Sequence, residues 1–272
     1  MTQKRTSNSL ETNFQELSIQ VSLSGLSFCI LDTLEKRVLF QRHISFAQKL
    51  YAEALPEQLL SVLNSEEALS GPFQKVQVIH HNELLAFVPK ALFDENSLAD
   101  YLKFSVKILA NDFITYDEIA TSDLMTVYVP FTNVNNVIFD HFGEFEYRHS
   151  ATVLLTALWQ QKPTVDAPIM YAFLEKDQFQ LIVLHQKKLL LFNTFTYHTK
   201  EDFLYYILFT AEQLQLNLSV SPLTIIGDID ENHPLYKIAY TYIHTVTIHK
   251  PVFAFADAAE TKPEHFIILN SL

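Results

Sequence analysis

Residues 17–44 read LSIQVSLSGLSFCILDTLEKRVLFQRHI, and they carry the clearest structural signal in the chain. Apolar and polar residues alternate from Leu17 to Leu23, which is the period of a half-buried β-strand. Ser24-Gly25 and the mostly polar residues 32–36 are typical of tight turns. The segment therefore predicts three antiparallel strands joined by two short turns. We place these strands at residues 17–23, 26–31 and 37–44.

A similar pattern returns about 152 residues further along the chain. Phe28-Cys29-Ile30-Leu31 aligns with Leu181-Ile182-Val183-Leu184, and Val38-Leu39-Phe40 aligns with Leu190-Leu191-Phe192. Solenoid repeats have periods of about 20 to 50 residues, so this spacing is not theirs. It predicts instead two similar α/β domains that face a cleft. The second set of strands is expected at residues 168–175, 179–184 and 188–195.

The other segments complete an α/β order in each half. Thr199 and Asp202 lie three positions apart, as in a capping box at the start of a helix. Helices are expected at residues 56–64, 96–108, 133–142 and 150–161, after Thr199, and at residues 234–243. Further strands are expected at residues 75–80, 83–88, 123–130, 223–226 and 245–249. Residues 160–168 are polar and proline-containing, so we place the boundary there, between domains 1–162 and 163–272.

Composition excludes several classes of protein. The chain has 272 residues, of which 49% are hydrophobic, so it can bury a large core without a disulfide or a metal. A formal net charge of -12 argues against nucleic acid or an anionic membrane surface as the partner. Residues 1–10 lack the apolar core of a secretory signal, and no window approaches the roughly twenty apolar residues of a membrane span. We therefore expect a cytoplasmic protein.

Glycine is scarce, with 4 residues in the whole chain, where average usage would give roughly nineteen. Phosphate-binding loops need glycine because backbone amides must approach the phosphate without an intervening Cβ. The glycines are Gly25, Gly71, Gly143 and Gly227, and no two are close in sequence. The Walker-type loop, the dinucleotide-binding fingerprint and the G-x-S-x-G nucleophile elbow are therefore all absent from the sequence.

Several motifs give this two-domain pattern a family resemblance. They are Phe192-Asn193-Thr194-Phe195-Thr196-Tyr197, Glu201-Asp202-Phe203-Leu204-Tyr205-Tyr206, residues 223–227 and Tyr236. The chain resembles the actin-like ATPase superfamily of sugar kinases, heat-shock seventy chaperones and actin-like scaffolds, and within it an uncharacterised bacterial family of unknown function. The resemblance implies an α/β fold of two ribonuclease-H-like actin-like domains. Each would be a mixed sheet with three antiparallel N-terminal strands and flanking helices.

The resemblance also implies where a nucleotide would bind, and three of its motifs are degraded in this chain. The first strand turn should read Asp-x-Gly-Ser/Thr, but the chain has Leu23-Ser24-Gly25-Leu26, with Ser22 in the carboxylate position after a shift of one residue. The second Asp-x-Gly is replaced by Leu174-Glu175-Lys176-Asp177-Gln178, whose acids are expected in a solvated turn. The adenosine-binding Gly-Gly becomes Ile225-Ile226-Gly227-Asp228, whose acid would repel a triphosphate.

Histidine and cysteine offer weaker candidate sites. His80-His81 would point to opposite faces of a strand, and the 11 histidines form neither His-x-x-x-His nor His-Glu-x-x-His, so core or surface roles are favoured over a metal site. Cys29 lies in an apolar strand and is expected to be buried and inert. The densest group of histidines and acids lies at a predicted helix-to-strand junction. Its members are His141, Glu144, Glu146 and His149.

Acidic and aromatic residues give two further expectations. Paired acids are expected at helix starts and in solvated turns. The pairs are Asp94-Glu95, Asp117-Glu118, Glu201-Asp202 and Asp228 with Asp230. The 22 Phe and 12 Tyr residues are expected mainly in the core, with an exposed aromatic groove for a protein partner as the alternative.

Two functional hypotheses follow. In the first, the chain is a non-catalytic actin-like protein, with no catalytic residues, cofactor or metal, which binds a protein or peptide partner. In the second, it is a divergent actin-like ATPase or small-molecule kinase that binds Mg-ATP in the interdomain cleft, with Gly25, Ser27 and Gly227 as the remaining contacts. Both a monomer and a homodimer formed through an exposed sheet edge are compatible with the composition.

Overall fold

The computed structural model describes residues 14–109, 111–161, 165–250 and 265–272. The strands are β1 (Gln15–Ser22), β2 (Gly25–Asp32), β3 (Arg37–Ser45), β4 (Lys75–His81), β5 (Leu85–Pro89), β6 (Thr115–Ile119), β7 (Leu124–Tyr128), β8 (Glu146–His149), β9 (Ile169–Leu174), β10 (Gln178–His185), β11 (Lys188–Thr196), β12 (Leu223–Ile226) and β13 (Val246–Ile248). The helices are α1 (Leu55–Ser65), α2 (Leu98–Leu102), α3 (Thr132–Phe142), α4 (Ser150–Gln160), α5 (Lys200–Gln213), α6 (Pro234–Tyr242) and α7 (Phe266–Leu269). Short 3-10 helices span Ala52–Ala54, Glu67–Leu69, Lys90–Leu92 and Glu95–Ser97.

Two five-stranded sheets with the same topology form the frame of the molecule. The first sheet has the order β3-β2-β1-β4-β8, and the second has the order β11-β10-β9-β12-β13. In each sheet the first three strands are antiparallel, and the later strands run parallel to the first. The register shifts between Ile30 and Leu31 in β2 and between Val183 and Leu184 in β10, which are aligned positions of the two hairpins. The predicted duplication is therefore confirmed down to this irregularity.

Alternation along the strands builds a separate core in each half. Leu17, Ile19 and Val21 of β1 are fully buried, in one cluster with residues of α1 and α3. Met170 and Ala172 of β9 lie in the corresponding cluster with residues of α5 and α6. The predicted capping box is present, since Thr199 accepts from the backbone N–H of Asp202 and the Asp202 carboxylate accepts from the N–H of Thr199. The mixed α/β fold expected from the sequence is thus confirmed.

A third sheet, with the order β5-β7-β6, is inserted between β4 and α3. The helix expected at residues 96–108 is wrong over most of its length, because α2 covers only Leu98–Leu102. Val106 and Ile108 pack instead against the apolar face of the third sheet. Val106 has a helical spacing from Leu102, four residues before it, but its burial comes from the neighbouring strands. Strands β6 and β8 were not predicted from the sequence.

Two helices join the two halves. Leu154 and Leu158 of α4 lie in one buried cluster with residues of β4, β9 and β10. Phe266 and Ile267 of α7 belong to the same cluster, while Ile268 of α7 lies with Cys29 of β2. Helix α7 was not predicted; it follows the second half in sequence yet packs on the first sheet. The division into domains 1–162 and 163–272 stays a prediction, since residues 162–164 lie outside the described residues.

Candidate functional site

The β1–β2 turn is closed by the side chain of Ser22. The Ser22 Oγ accepts from the backbone N–H groups of Ser24 and Gly25 at 3.2 and 3.0 Å, and it donates to the Gly25 carbonyl oxygen at 3.0 Å. These are the amides that a phosphate-binding turn would present to its ligand. They already have an internal acceptor.

Gly25 and Ser27, two of the three candidate nucleotide contacts, lie on the same strand but serve the sheet. A Cβ on Gly25 would lie 2.5 Å from the carbonyl oxygen of Ile44, so glycine lets β2 and β3 approach each other here. The Ser27 hydroxyl lies 2.8 Å from Nδ1 of His43 on β3. Both residues therefore have structural partners.

Gly227, the third candidate contact, follows β12 and meets the end of β9. A Cβ on Gly227 would lie 2.8 Å from the Cβ of Leu174. Glycine is thus required by the contact between neighbouring strand ends. Leu174 precedes Glu175, so the degraded second and third motifs lie side by side.

A buried ion pair joins the ends of β4 and β9. The Nε2 of His81 lies 2.7 Å from Oε1 of Glu175, and its Nδ1 lies 2.8 Å from the hydroxyl of Ser150, the first residue of α4. Gln178 donates to the other carboxylate oxygen of Glu175 at 2.6 Å. Ser22 is paired with His81 in the parallel register of β1 and β4. The His81–Glu175 pair therefore lies where the three degraded motifs converge.

Each group of this pair favours the charged form of the other. Burial lowers the pKa of His81, but the carboxylate of Glu175 more than offsets this effect, and the net shift is upward. Burial raises the pKa of Glu175, but the charge and hydrogen bond of His81, with the hydrogen bond from Gln178, lower it overall. The acids of the second turn were expected in solvent; for Glu175 that expectation is wrong.

Ser150, His81 and Glu175 form a hydrogen-bonded series of the types found in acyl-transfer triads. The charged form of His81 donates from both ring nitrogens, so it cannot accept a proton from Ser150 as a general base would. Ser150 is 1% exposed and His81 is 8% exposed. Two surface grooves of the described residues, one beside β5 and one beside α6, are not lined by these side chains. The arrangement is suited to joining domains rather than to attacking a substrate.

The carboxylate of Asp117 anchors the third sheet to the start of α4. It accepts from the hydroxyl of Tyr128 at 3.0 Å, from the backbone N–H of His149 at 2.7 Å and from the hydroxyl of Thr152 at 2.8 Å. Burial raises the pKa of Asp117 above its usual range, although these hydrogen bonds oppose the shift. Asp117 was expected in a helix start or a solvated turn, so this expectation is wrong. Its neighbour Glu118 is exposed, as expected.

The remaining histidine and cysteine candidates have structural partners. His80 lies on the opposite face of β4 from His81, as predicted, where its Nε2 lies 3.0 Å from Oδ1 of Asn135. Burial lowers the pKa of His80 to about 4. Cys29 is fully buried, and burial raises its pKa to about 12. Among the described residues, no three His, Cys, Asp or Glu side chains are grouped as metal ligands, so the group around His141 does not form a site.

An open groove of about 600 Å³ separates the third sheet from the second sheet. One wall is the outer edge of β5, and the other includes Phe192, Asn193 and Thr194 of β11. The rings of Phe87 and Phe192 meet across it with centroids 5.1 Å apart. A smaller groove of about 420 Å³ is lined by residues that include Tyr240, Tyr242 and His244. Phe179 and Phe203 are core residues, whereas Tyr205 and Tyr242 are exposed. The aromatic groove for a protein partner stays a prediction.

The family of proteins of unknown function DUF3822 matches residues 4–246, most of the chain. The chain belongs to this family. No curated protein matches it. A fold or family of unknown function does not fix an activity, so what this site can do follows from its own contacts.

Solved structures agree with the fold seen for this DUF3822 member. A Bacteroides thetaiotaomicron protein with an actin-like ATPase fold and unknown function is 21% identical, with a TM-score of 0.77, over 88% of this chain and 92% of that chain. The PilM-PilN type IV pilus biogenesis complex is 11% identical, with a TM-score of 0.60, over 94% of this chain and 96% of that chain. The actin-like fold predicted from the sequence is thereby confirmed.

The residues present do not fit the magnesium nucleotide that the actin-like fold implies. The Ser22 side chain holds the amides of the first turn, and Gly227 is packed on Leu174. The second turn presents Glu175, whose negative charge opposes a phosphate and is already paired with His81.

Among the described residues, no helix is long and apolar enough to cross a membrane.

Proposed function

We propose that this DUF3822 member is a non-catalytic actin-like protein that binds a protein or peptide partner and does not use nucleotide. The observation that carries the proposal is the His81–Glu175 ion pair, because it joins the two halves at the point where the nucleotide motifs converge. A ligand in that position would have to separate a buried pair, which costs several kcal/mol.

Partner binding is supported by the surface as well as by the cleft. Leu92, beside the larger groove, is 70% exposed, and Tyr240, beside the smaller groove, is 61% exposed. Exposed apolar and aromatic side chains that line concave surfaces are typical of protein interaction sites. The PilM structure is that of a complex with PilN, and it shares this fold. The cytoplasmic location and the monomeric or homodimeric state of the protein stay predictions.

Thermal unfolding with and without millimolar Mg-ATP tests the proposal. A ligand at a hundred times its dissociation constant stabilises the native state by about 2.7 kcal/mol, and at this size each kcal/mol raises Tm by roughly 2 to 4 °C. We expect Tm to change by less than about 1 °C relative to magnesium chloride alone. A rise of several degrees that requires both magnesium and ATP would overturn the proposal and favour the divergent ATPase or kinase.

A further inference from the structure

The outer edge of β5 carries backbone groups without partners in the third sheet. The backbone N–H of Val129 donates to the carbonyl of Leu84, and the N–H of Lys90 donates to the carbonyl of Asp123. Hydrogen-bonded pairs alternate along an antiparallel ladder, so the N–H and C=O groups of Leu85 and Phe87 point away from β7. They face the groove. Strand β5 is therefore an open template for one more strand.

This edge has only part of the usual protection against pairing with another chain, since it is short and ends in Pro89. Edge strands are commonly blunted by charged side chains, bulges or a covering element. The residues of β5 before Pro89 are Leu85, Ala86, Phe87 and Val88, all apolar, in a register without a shift. The groove lies beside them. An edge of this kind favours strand addition.

The opposite wall of the groove, β11, is also the edge of a sheet. Next to the paired ends of β10 and β11, the backbone N–H of Tyr197 donates to the carbonyl oxygen of Asp177. By alternation along the ladder, the backbone groups of Phe192 and Thr194 in β11 point away from β10. The Thr194 N–H is already capped by the Asn193 side chain at 3.0 Å. Strand β11 is thus the weaker template, and the contact of Phe87 with Phe192 closes one side of the groove.

The charge of the groove selects the occupant. Among the described residues that line it, Glu83 is the only charged one. The described part of the chain contains no ion pair made by Glu83, and the net charge of the whole chain is -12. A positively charged side chain at the Glu83 end would therefore be attracted, and an acidic one repelled.

We propose that the groove binds an extended segment of a partner protein as an additional strand on β5, with apolar side chains at alternate positions and a Lys or Arg at the Glu83 end. Five residues of β5 span about 17 Å at the rise of an antiparallel strand, so five or six peptide residues suffice. This inference rests on the proposed partner-binding function and assigns it a surface and a ligand chemistry.

Peptide selection on the full-length protein tests the assignment. Random seven-residue peptides displayed on phage are selected, and the enriched sequence is labelled with fluorescein for anisotropy titrations. We expect alternating apolar residues with Lys or Arg at one end. Glu83→Lys should weaken binding by about tenfold or more, because it replaces attraction with repulsion. Glu212→Lys, which changes an exposed acid of α5 outside the groove, should leave the dissociation constant within about twofold.

Methylation of single peptide amides tests strand addition from the side of the ligand. Only alternate amides of an added strand point toward β5. N-methylation should therefore weaken binding strongly at every second position and little between them. Leu85→Pro tests the same edge from the protein, because it removes an outward N–H and no bond to β7. If Leu85→Pro does not fold, the methylation series still decides the question.

Several results would overturn the assignment. They are a uniform response to methylation, unchanged binding by Glu83→Lys, enriched acidic peptides, and a selection that returns no peptide. Self-association of the chain that Glu83→Lys abolishes would assign the edge to a second copy instead. Failure of the proposed function can be told apart from failure of this assignment. The proposed function is contradicted by a magnesium-dependent rise in Tm with ATP, and that result does not depend on the peptide experiments.

Discussion

At the scale of single residues, the pairing of His81 with Glu175 is the contact that determines the chemistry of the cleft. The sequence predicted that His80 and His81 point to opposite faces, because alternation along a strand is a local property. It could not place Glu175 against His81, because the two residues lie on strands from different halves of the chain. Glu175 was therefore expected in solvent, like other acids in turns.

Breaking this pair should destabilise the protein. In Glu175→Gln the imidazolium of His81 stays buried without its counter-charge, and we expect a loss of about 3 kcal/mol in the free energy of unfolding. This is the low end of the range for buried pairs, because the Glu175 side chain is 21% exposed. Urea unfolding followed by circular dichroism measures it. Glu212→Gln, at an exposed site on α5, should change stability by less than about 0.5 kcal/mol.

The cost of Glu175→Gln should depend on pH. The folded-state pKa of His81 lies above its ordinary 6.5, so its contribution is full below about pH 6.5 and is lost as the pH rises through the folded value. The folded-state pKa of Glu175 lies below its ordinary 4.5, so its contribution is lost as the pH falls through that lower value. Lys49 and Glu83 are the other charges that act on His81. The difference from wild type should peak between about pH 4.5 and 6.5; a difference that grows toward pH 9 would contradict this.

Removal of the adjacent acids Asp117 and Glu118 should lower the free energy of unfolding by very different amounts. Asp117→Ala leaves the N–H of His149 and the hydroxyls of Tyr128 and Thr152 without their acceptor, so we expect a loss of at least about 2 kcal/mol. Glu118→Ala removes only an exposed ion pair with Lys90, which is worth less than about 1 kcal/mol. Urea midpoints of the two variants provide the comparison. Equal losses would show that Asp117 does not anchor α4.

At the scale of elements, the sequence predicted the hairpins and most helices to within one or two residues. Period-two alternation, turn residues and a capping box are local signals, and they gave β1, β2, β3 and the start of α5 correctly. The helix predicted at residues 96–108 was wrong over most of its length, because apolar residues at helical spacing can also pack individually against a sheet. Helix α7 was missed because a segment as short as Phe266–Leu269 is helical only through its burial between two sheets.

The burial of α7 predicts a large effect from a small substitution. Ile268 is fully buried beside Cys29, and Ile268→Ala should cost about 2 to 4 kcal/mol through the lost contacts and the cavity. Leu60→Ala, on the exposed side of α1, should cost less than about 1 kcal/mol because Leu60 is 41% exposed. Chemical unfolding of both variants tests this. Similar costs would show that α7 adds little to the core.

At the scale of the whole molecule, the sequence revealed two copies of one topology but not how they are joined. The duplication is visible because each copy repeats its hydrophobic pattern. The junction depends on a buried cluster that draws side chains from α4, α7 and both five-stranded sheets, and such long-range contacts leave no periodic signal. The aromatic residues illustrate the same limit, since Phe179 is fully buried and Tyr205 is exposed.

The shared cluster predicts one cooperative unfolding transition. Trp159, the only tryptophan, lies on α4 against this cluster, so its fluorescence reports on the junction. Far-UV circular dichroism reports on both halves together. In a urea titration the two signals should give the same midpoint, as expected for a single cooperative unit. Separate midpoints would show that the halves unfold independently.

The joined frame also has a kinetic consequence for the groove beside β5. Its two walls belong to different halves, and the His81–Glu175 pair, α4 and α7 fix those halves against each other. A strand arriving from solvent would meet walls that are already in position, so association would not wait for a slow opening of the protein. Its rate constant would then lie in the ordinary range for protein recognition, about 10⁵ to 10⁷ M⁻¹s⁻¹, and differences among ligands would appear mainly in how long each stays bound.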